Sequence, residues 1–331
     1  MDDQPDNPNP NPNPQFDENT ELTEAERHDQ ELLGLFTEQA EQAGFAYQDN
    51  SSERLGSANS AHGVRFGTVT DQQGEVARVA VKTFEAVKYR ASTRARTELR
   101  NMERVRQRGF NTLSPFEQSL FVVPNDTGET VFMVTERRGE MKPMNGLDWQ
   151  KDPTDEGFEH LATIIEEIAD FTAEMHAAGV VHNDWQLKNI VMTTSGEFVL
   201  VDLEKALVHR EALSPKTDPI QLVRDIRVLF VSLLDNGFMP GSPQRQVYDY
   251  LEKHLVDTYL ERLRTHVSGN EKISDEKVVE LINGVESSLI TSIHGVEEQR
   301  AGNAEEPRVA AVARHAGRAI KGLVGKELVP V

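Results

Sequence analysis

Two short apolar-rich runs, Val64–Val69 and Val76–Phe84, flank the turn Asp71-Gln72-Gln73-Gly74 and predict a pair of strands. A polar stretch with Leu99, Met102 and Val105 at helical spacing follows. Leu120–Val123 and Val131–Thr135 then predict two more strands around Asn125-Asp126-Thr127-Gly128. These elements make a small antiparallel sheet interrupted by one helix. Beyond Gly139 the pattern turns helical: Leu161, Ile164, Ile165, Ile168, Thr172 and Met175 mark one face and stop at Gly179. Ile190–Met192 and Phe198–Val201 flank Thr194-Ser195-Gly196 as a β-hairpin. Leu222, Val223, Ile226, Leu229, Phe230, Leu233 and Leu234 predict a long buried helix ending at Gly237. Val247, Leu251, Leu255, Tyr259 and Leu263 predict another. No internal repeat is present.

Upstream of the strands, Leu32, Leu33, Leu35, Phe36 and Ala40 predict a helix across 21–43, ending near Gly44. Before it, the run from Asn7 to Pro14 has proline at every second position and predicts a disordered or polyproline-II-like tail. At the other end, residues beyond about 270 offer little chemistry. Arg308, Arg314, His315, Arg318 and Lys321 interleave there with Val309, Val312, Ile320 and Leu323, as in a basic amphipathic helix. Gly317 and Gly322 weaken it. Such a helix either packs on the helical lobe or meets a partner helix or membrane surface. The expected organisation is a tail over 1–20, a helical extension over 21–49, a β-rich lobe over 50–138, a helical lobe over 139–300 and a basic helix or tail over 301–331.

A length of 331 residues suffices for one large or two smaller domains. No run approaches the ~18 apolar residues that cross a bilayer. The acidic, proline-rich start lacks a charged-then-apolar signal pattern, so a cytoplasmic protein is expected. With no cysteine, disulfides, thiolate metal sites and cysteine nucleophiles are excluded. The net charge of −20 argues against nucleic-acid binding by the chain as a whole. That charge is uneven. Thirteen acids against Arg27 alone give residues 1–50 a balance of −12, leaving −8 for the other 281. Residues 88–108 carry eight bases against Glu98 and Glu103, a balance of +6. Arg96, Arg100, Arg104 and Arg108 recur every fourth position and line up on a helix. They form either a solvated face or a docking face, for an anionic partner or for the chain's own acidic N-terminal segment.

Three pieces carry chemistry. Val79-Ala80-Val81-Lys82 ends an apolar alternation, so Lys82 points to the sheet face opposite Val81. His182-Asn183-Asp184-Trp185-Gln186-Leu187-Lys188-Asn189 sits between a helix and the hairpin. Asp202-Leu203-Glu204 closes the apolar strand Phe198–Val201, where an acid is costly unless it meets a cation. Each piece has a bland reading as surface or loop. Their order is less easily dismissed.

In series they resemble the protein-kinase-like superfamily over roughly residues 50–265. The resemblance implies an α+β, bilobal fold: a small antiparallel β-rich N-lobe with one helix and a larger, mainly helical C-lobe. It implies that Lys82 holds the ATP phosphates, paired to Glu98 on the next helix, with Glu103 in reserve. Asp184 is implied to accept or orient the attacking hydroxyl's proton, Asn189 and Asp202 to ligate Mg²⁺, and Asp225 to brace the catalytic loop. Glu136-Arg137-Arg138 matches the hinge whose backbone meets adenine. Gly56, Ser57, Ser60 and Gly63 match the phosphate-covering loop, although that loop is poor in glycine and also reads as a plain surface turn.

Other departures sharpen the family. Asn183 stands where regulated protein kinases carry an arginine, Glu204 replaces a glycine, and no Ala-Pro-Glu element follows. His-Asn-Asp-x-Gln followed by Asp-x-Glu is more similar to choline/ethanolamine kinases and aminoglycoside phosphotransferases. In that reading Gln186 fixes the loop or meets phosphate, and Glu204 is a ligand for a second Mg²⁺. Lys188 is either a γ-phosphate contact or a surface lysine. Trp185 either packs on the acceptor or fills the core, and His62 reads as a loop residue. The resemblance implies an ATP- and Mg²⁺-dependent kinase acting on a hydroxyl of a small molecule or envelope glycan. The alternatives are an atypical Ser/Thr protein kinase and an inactive pseudokinase that serves as a binding module.

Overall fold

The structure is a computed structural model that describes residues 23–55, 64–85, 91–126, 128–137, 139–146, 156–210, 212, 219–235, 245–268 and 274–300. Helix α1 (Glu24–Gln42) opens on a capping box: the Thr23 hydroxyl accepts from the Glu26 amide, and the Glu26 carboxylate accepts from the Thr23 amide at 2.8 Å. Gly44, at φ +88°, turns the chain out of the helix and into β1 (Ala46–Leu55). Strands β2 (Val64–Thr70) and β3 (Val76–Glu85), helix α2 (Ala91–Gln107), and strands β4 (Ser114–Asn125) and β5 (Gly128–Glu136) follow. The five strands pair antiparallel in the order β1-β2-β3-β5-β4. The sheet thus begins at Ala46, ahead of the boundary expected at residue 50. Strand β1 is polar in sequence because it lies at the sheet edge.

The alternation along β3 sends its side chains into two cores. Val79 and Val81 join Val69, Phe121, Phe132 and Val134 against Phe36 and Ala40 of α1. Phe84 joins Val131 and Met133 on the other face, against Ala91, Ala95, Met102 and Val105 of α2. Helix α1 is therefore a layer of the N-lobe on the sheet face opposite α2. Arg65, buried on β2, fastens it by an ion pair to Asp29 at 2.5 Å and also pairs with Asp49 of β1 at 3.5 Å.

The second lobe contains β6 (Met141–Pro143), α3 (Glu156–Ala177), β7 (Val180–Val181), β8 (Ile190–Thr193), β9 (Phe198–Leu200), β10 (Leu207–Val208), α4 (Pro219–Asp235), α5 (Arg245–Ser268) and α6 (Asp275–Arg300). The expected hairpin is β8–β9, with β6 as a third strand, and β7 pairs with β10. Helix α3 packs on α5 and α4 on α6. Helix α6 buries Val278, Ile282, Val285 and Leu289, so the chain beyond 270 completes the helical core. The tail over 1–20 and the basic helix over 308–323 lie outside the described residues. No described helix is long and apolar enough to cross a membrane.

Candidate active site

Lys82, on the α2 side of β3, stands between two carboxylates. Its Nζ donates to Glu98 Oε2 at 2.7 Å and to Asp202 Oδ1 at 2.6 Å. Lys82 is 8% exposed and Glu98 1%, so this is a desolvated ion pair with little screening. Burial works against the Lys82 charge, but the Glu98 and Asp202 carboxylates outweigh it and raise its pKa. Burial likewise pushes the Asp202 carboxyl up, and the Lys82 ammonium overrides it to hold Asp202 below the usual carboxylate range. Glu103, the reserve partner, is exposed and pairs with Arg106 on its own helix.

The loop that carries Asp184 is held from below by Asp225 on α4. One Asp225 oxygen accepts the His182 amide and the other the Asn183 amide, each at 2.7 Å. His176 adds a 3.2 Å contact to the same carboxylate and reaches Tyr259 on α5 at 2.7 Å. Asn183 sits at φ +64°, a left-handed conformation that asparagine tolerates better than bulkier side chains, and its amide donates to the Lys205 carbonyl. His182 donates from Nε2 to the Val201 carbonyl at 2.9 Å. Trp185 is fully buried and donates to Thr172 at 2.9 Å, which makes it a core residue.

Asp184 is half-buried. Its Oδ1 accepts from Gln186 at 2.6 Å and its Oδ2 from Lys205 at 2.9 Å. Burial pushes this carboxyl up, but the hydrogen bonds from Lys205 and Gln186 prevail and hold it below the usual range. Asn189, buried, donates from Nδ2 to the Asp184 carbonyl at 2.7 Å, and so keeps its Oδ1 as an acceptor. Lys188 is exposed.

Glu204 faces Arg94 of α2, which donates from Nε at 2.7 Å and from a terminal nitrogen at 2.8 Å, one bond to each oxygen. One oxygen each from Glu98, Asp202 and Glu204 lies within 4.8 Å of the others. These three carboxylates are hard oxygen donors, the type that suits Mg²⁺ or another hard divalent cation. Asp202 itself is at φ +58°, which swings its carboxylate back toward Lys82 at the end of β9. Helix α2 is tied to the segment after β9 by further bonds. Asn101 donates to the Leu203 and Ala206 carbonyls at 2.8 and 2.9 Å, Arg104 to the Val208 carbonyl, and Arg108 to the His209 and Arg210 carbonyls. The arginine stripe is thus divided: Arg96 and Arg100 are exposed, while Arg104 and Arg108 hold the adjoining backbone.

At the expected hinge, Glu136 ends β5, and the Arg137 amide donates to the Arg78 carbonyl at 2.8 Å. That amide is therefore closed to adenine, and the Arg137 guanidinium lies over the Phe66 ring, 4.7 Å from its centroid. Arg138 and the loop with Gly56, Ser57, Ser60 and Gly63 lie outside the described residues. Sequence reasoning missed Lys205, Arg94 and Asn101. The signals available were Lys205 directly after Glu204, and Arg94 one helical turn before Glu98.

Comparison with known proteins gives three results. The family model described as lipopolysaccharide kinase (Kdo/WaaP) matches residues 58–229. Among solved structures, WaaP in complex with acyl carrier protein is similar at 19% identity and a TM-score of 0.39, covering 68% of this chain and 85% of that one. No curated protein matches.

Proposed function

The chain belongs to the lipopolysaccharide kinase (Kdo/WaaP) family, and from that membership we propose that it transfers the γ-phosphate of ATP to a sugar hydroxyl of lipopolysaccharide or a related envelope glycan, acting from the cytoplasm. Membership makes the chain an ATP-dependent phosphotransferase with a hydroxyl acceptor. It favours the glycan acceptor over a protein Ser/Thr and over an inactive binding module.

The observation that carries the reading is Lys82 held between Glu98 and Asp202 at 2.7 and 2.6 Å. In this role Glu98 fixes the Lys82 ammonium, which meets the nucleotide phosphates. Asp184 orients the acceptor hydroxyl. With its pKa lowered, Asp184 is a weak base whose main contribution is alignment, as befits phosphoryl transfer through a loose transition state. Lys205 and Gln186 fix both Asp184 oxygens, and Asp225 fixes the loop behind them. Asn189, Asp202 and Glu204 would hold Mg²⁺, which when bound supplies neutralisation of charge on the transferring phosphoryl group. Lys188, exposed beside this loop, is the candidate contact for the γ-phosphate. The nucleotide's phosphates would be covered by the loop from Gly56 to Gly63, and Arg96 and Arg100 remain open to an anionic partner.

The test follows labelled ATP into lipopolysaccharide with wild type, Asp184→Ala and Asp202→Ala. Label enters the glycan with wild type and falls to background with both variants. Equal transfer by all three overturns the residue roles, and label confined to protein overturns the glycan acceptor.

A further inference from the structure

A cavity of about 660 Å³ opens beside Asp184, walled by the catalytic loop on one side and by α4 and α6 on the other. Asp184 and Lys205 reach it from the loop side, Arg224 and Arg227 from α4, and Ser288 and Ser292 from α6. Its volume suits a ligand of one or two sugar rings.

The charges in this cavity are unbalanced. Arg224 and Arg227 are three residues apart on one helix, so their side chains are neighbours. Neither forms an ion pair or hydrogen bond with any described residue. Asp225, between them in sequence, is fully buried and already commits both oxygens to the His182 and Asn183 amides. Asp184 is the cavity's acid, and it is taken up by Lys205 and Gln186. Burial, and then the charge of Arg224, depress the Arg227 pKa, as expected for a cation with no counter-ion among the described residues. Among the described residues, three cations face one carboxylate, which makes the cavity hostile to an ammonium group. The amine-bearing acceptors of choline kinases and aminoglycoside phosphotransferases therefore do not suit it. Two guanidinium forks instead match the planar oxygens of a carboxylate or the trigonal face of a phosphate.

We propose that Arg224 and Arg227 form an anion subsite that docks a phosphate or carboxylate group of the acceptor glycan, so that a neighbouring hydroxyl of the same glycan faces Asp184. The inference rests on the reading of Asp184 as the acceptor-side residue of a glycan kinase, and it adds a specificity rule. A neutral sugar lacks the group that holds it in place, while a sugar with a negative group near the target hydroxyl is positioned for transfer.

The probe is deacylated lipopolysaccharide core oligosaccharide in four forms: native, dephosphorylated, carboxyl-reduced, and treated both ways. Calorimetric binding to the full chain is compared for wild type, Arg224→Gln/Arg227→Gln and Arg227→Lys, with thermal melting as the check on folding. The double variant weakens native oligosaccharide by at least about tenfold, the loss expected for hydrogen bonds to a charged group, and Arg227→Lys keeps part of the affinity. The treatment that reproduces this loss in wild type identifies whether phosphate or carboxylate is read. Salt supplies a variant-free measurement: native binding to wild type weakens between low and high ionic strength. Equal binding of native oligosaccharide to wild type and a folded double variant overturns the subsite. So does equal binding of the native and doubly treated oligosaccharides to wild type, or no binding of either. Arginine-dependent binding without phosphate transfer supports the subsite while overturning the proposed kinase reaction.

Discussion

Arg94 grips Glu204 through two hydrogen bonds of 2.7 and 2.8 Å, one to each carboxylate oxygen. The arginine lies on α2, one turn before Glu98, and the glutamate lies two residues after Asp202. The guanidinium takes one lone pair of each Glu204 oxygen and repels a second cation, so Arg94 opposes the cation that Glu204 is proposed to bind.

Replacing Arg94 with alanine should lower the Mg²⁺ concentration needed for half-maximal ATP turnover. Both partners are partly exposed, so the gain is small, roughly threefold. A magnesium titration of wild type and Arg94→Ala measures it. An unchanged or higher requirement would remove Glu204 from the metal site.

Asp225→Asn should damage the catalytic loop without touching its reacting groups. An asparagine offers one acceptor oxygen where the His182 and Asn183 amides need two. The buried amide left over costs about 1–3 kcal/mol. Urea denaturation should show that loss, and transfer should slow with little change in the KM for ATP.

The pH dependence follows from the lowered pKa values of Asp184 and Asp202. Both groups are ionised through the neutral range, so the rate should show no acid limb from Asp184 above about pH 4, the ordinary carboxylate value. For stability the sign is the same. A depressed carboxylate stabilises the fold above its unfolded pKa, and the contribution is lost as pH falls through the folded value. The stability gap between wild type and Asp202→Asn should therefore be flat above about pH 5 and close below about pH 4. A gap that widens on acidification contradicts the Lys82–Asp202 pairing.

Phe36→Ala tests whether α1 is part of the N-lobe. The ring is 2% exposed and packs edge-on against Tyr47 and Phe121, with centroids 4.8 and 5.6 Å away. Its removal should cost about 3–5 kcal/mol in equilibrium unfolding. A loss below about 1 kcal/mol would mean that α1 is a detachable appendage.

What the sequence made legible was periodic or contiguous. The alternation through Val79, Ala80 and Val81 placed Lys82 on its face of the sheet, and the 3.6 period placed Glu98 beside Met102 and Val105. The loop from His182 to Asn189 was legible because its polar residues sit between two apolar elements. What remained hidden depends on tertiary approach. Asn101 and Leu203 are 102 positions apart, and no local pattern announces that an amide will meet that carbonyl. Arg104 and Arg108 read as members of a stripe, either solvated or docking an anion, because spacing shows which side chains share a face, not what the face meets. Strand β1 was missed because an edge strand needs few apolar side chains.

Helix α2 belongs by chain connectivity to the β-rich lobe, yet Asn101, Arg104 and Arg108 bind it to five carbonyls between Leu203 and Arg210. Mechanically it is a rivet between the lobes. Many switches swing such a helix aside to separate the lysine from its glutamate. Here that movement would break the five bonds, at roughly 0.5–1.5 kcal/mol each, along with the Lys82–Glu98 pair. The Lys82–Glu98 pair thus shares the fate of the riveted helix: whatever moves α2 must also release the segment after β9.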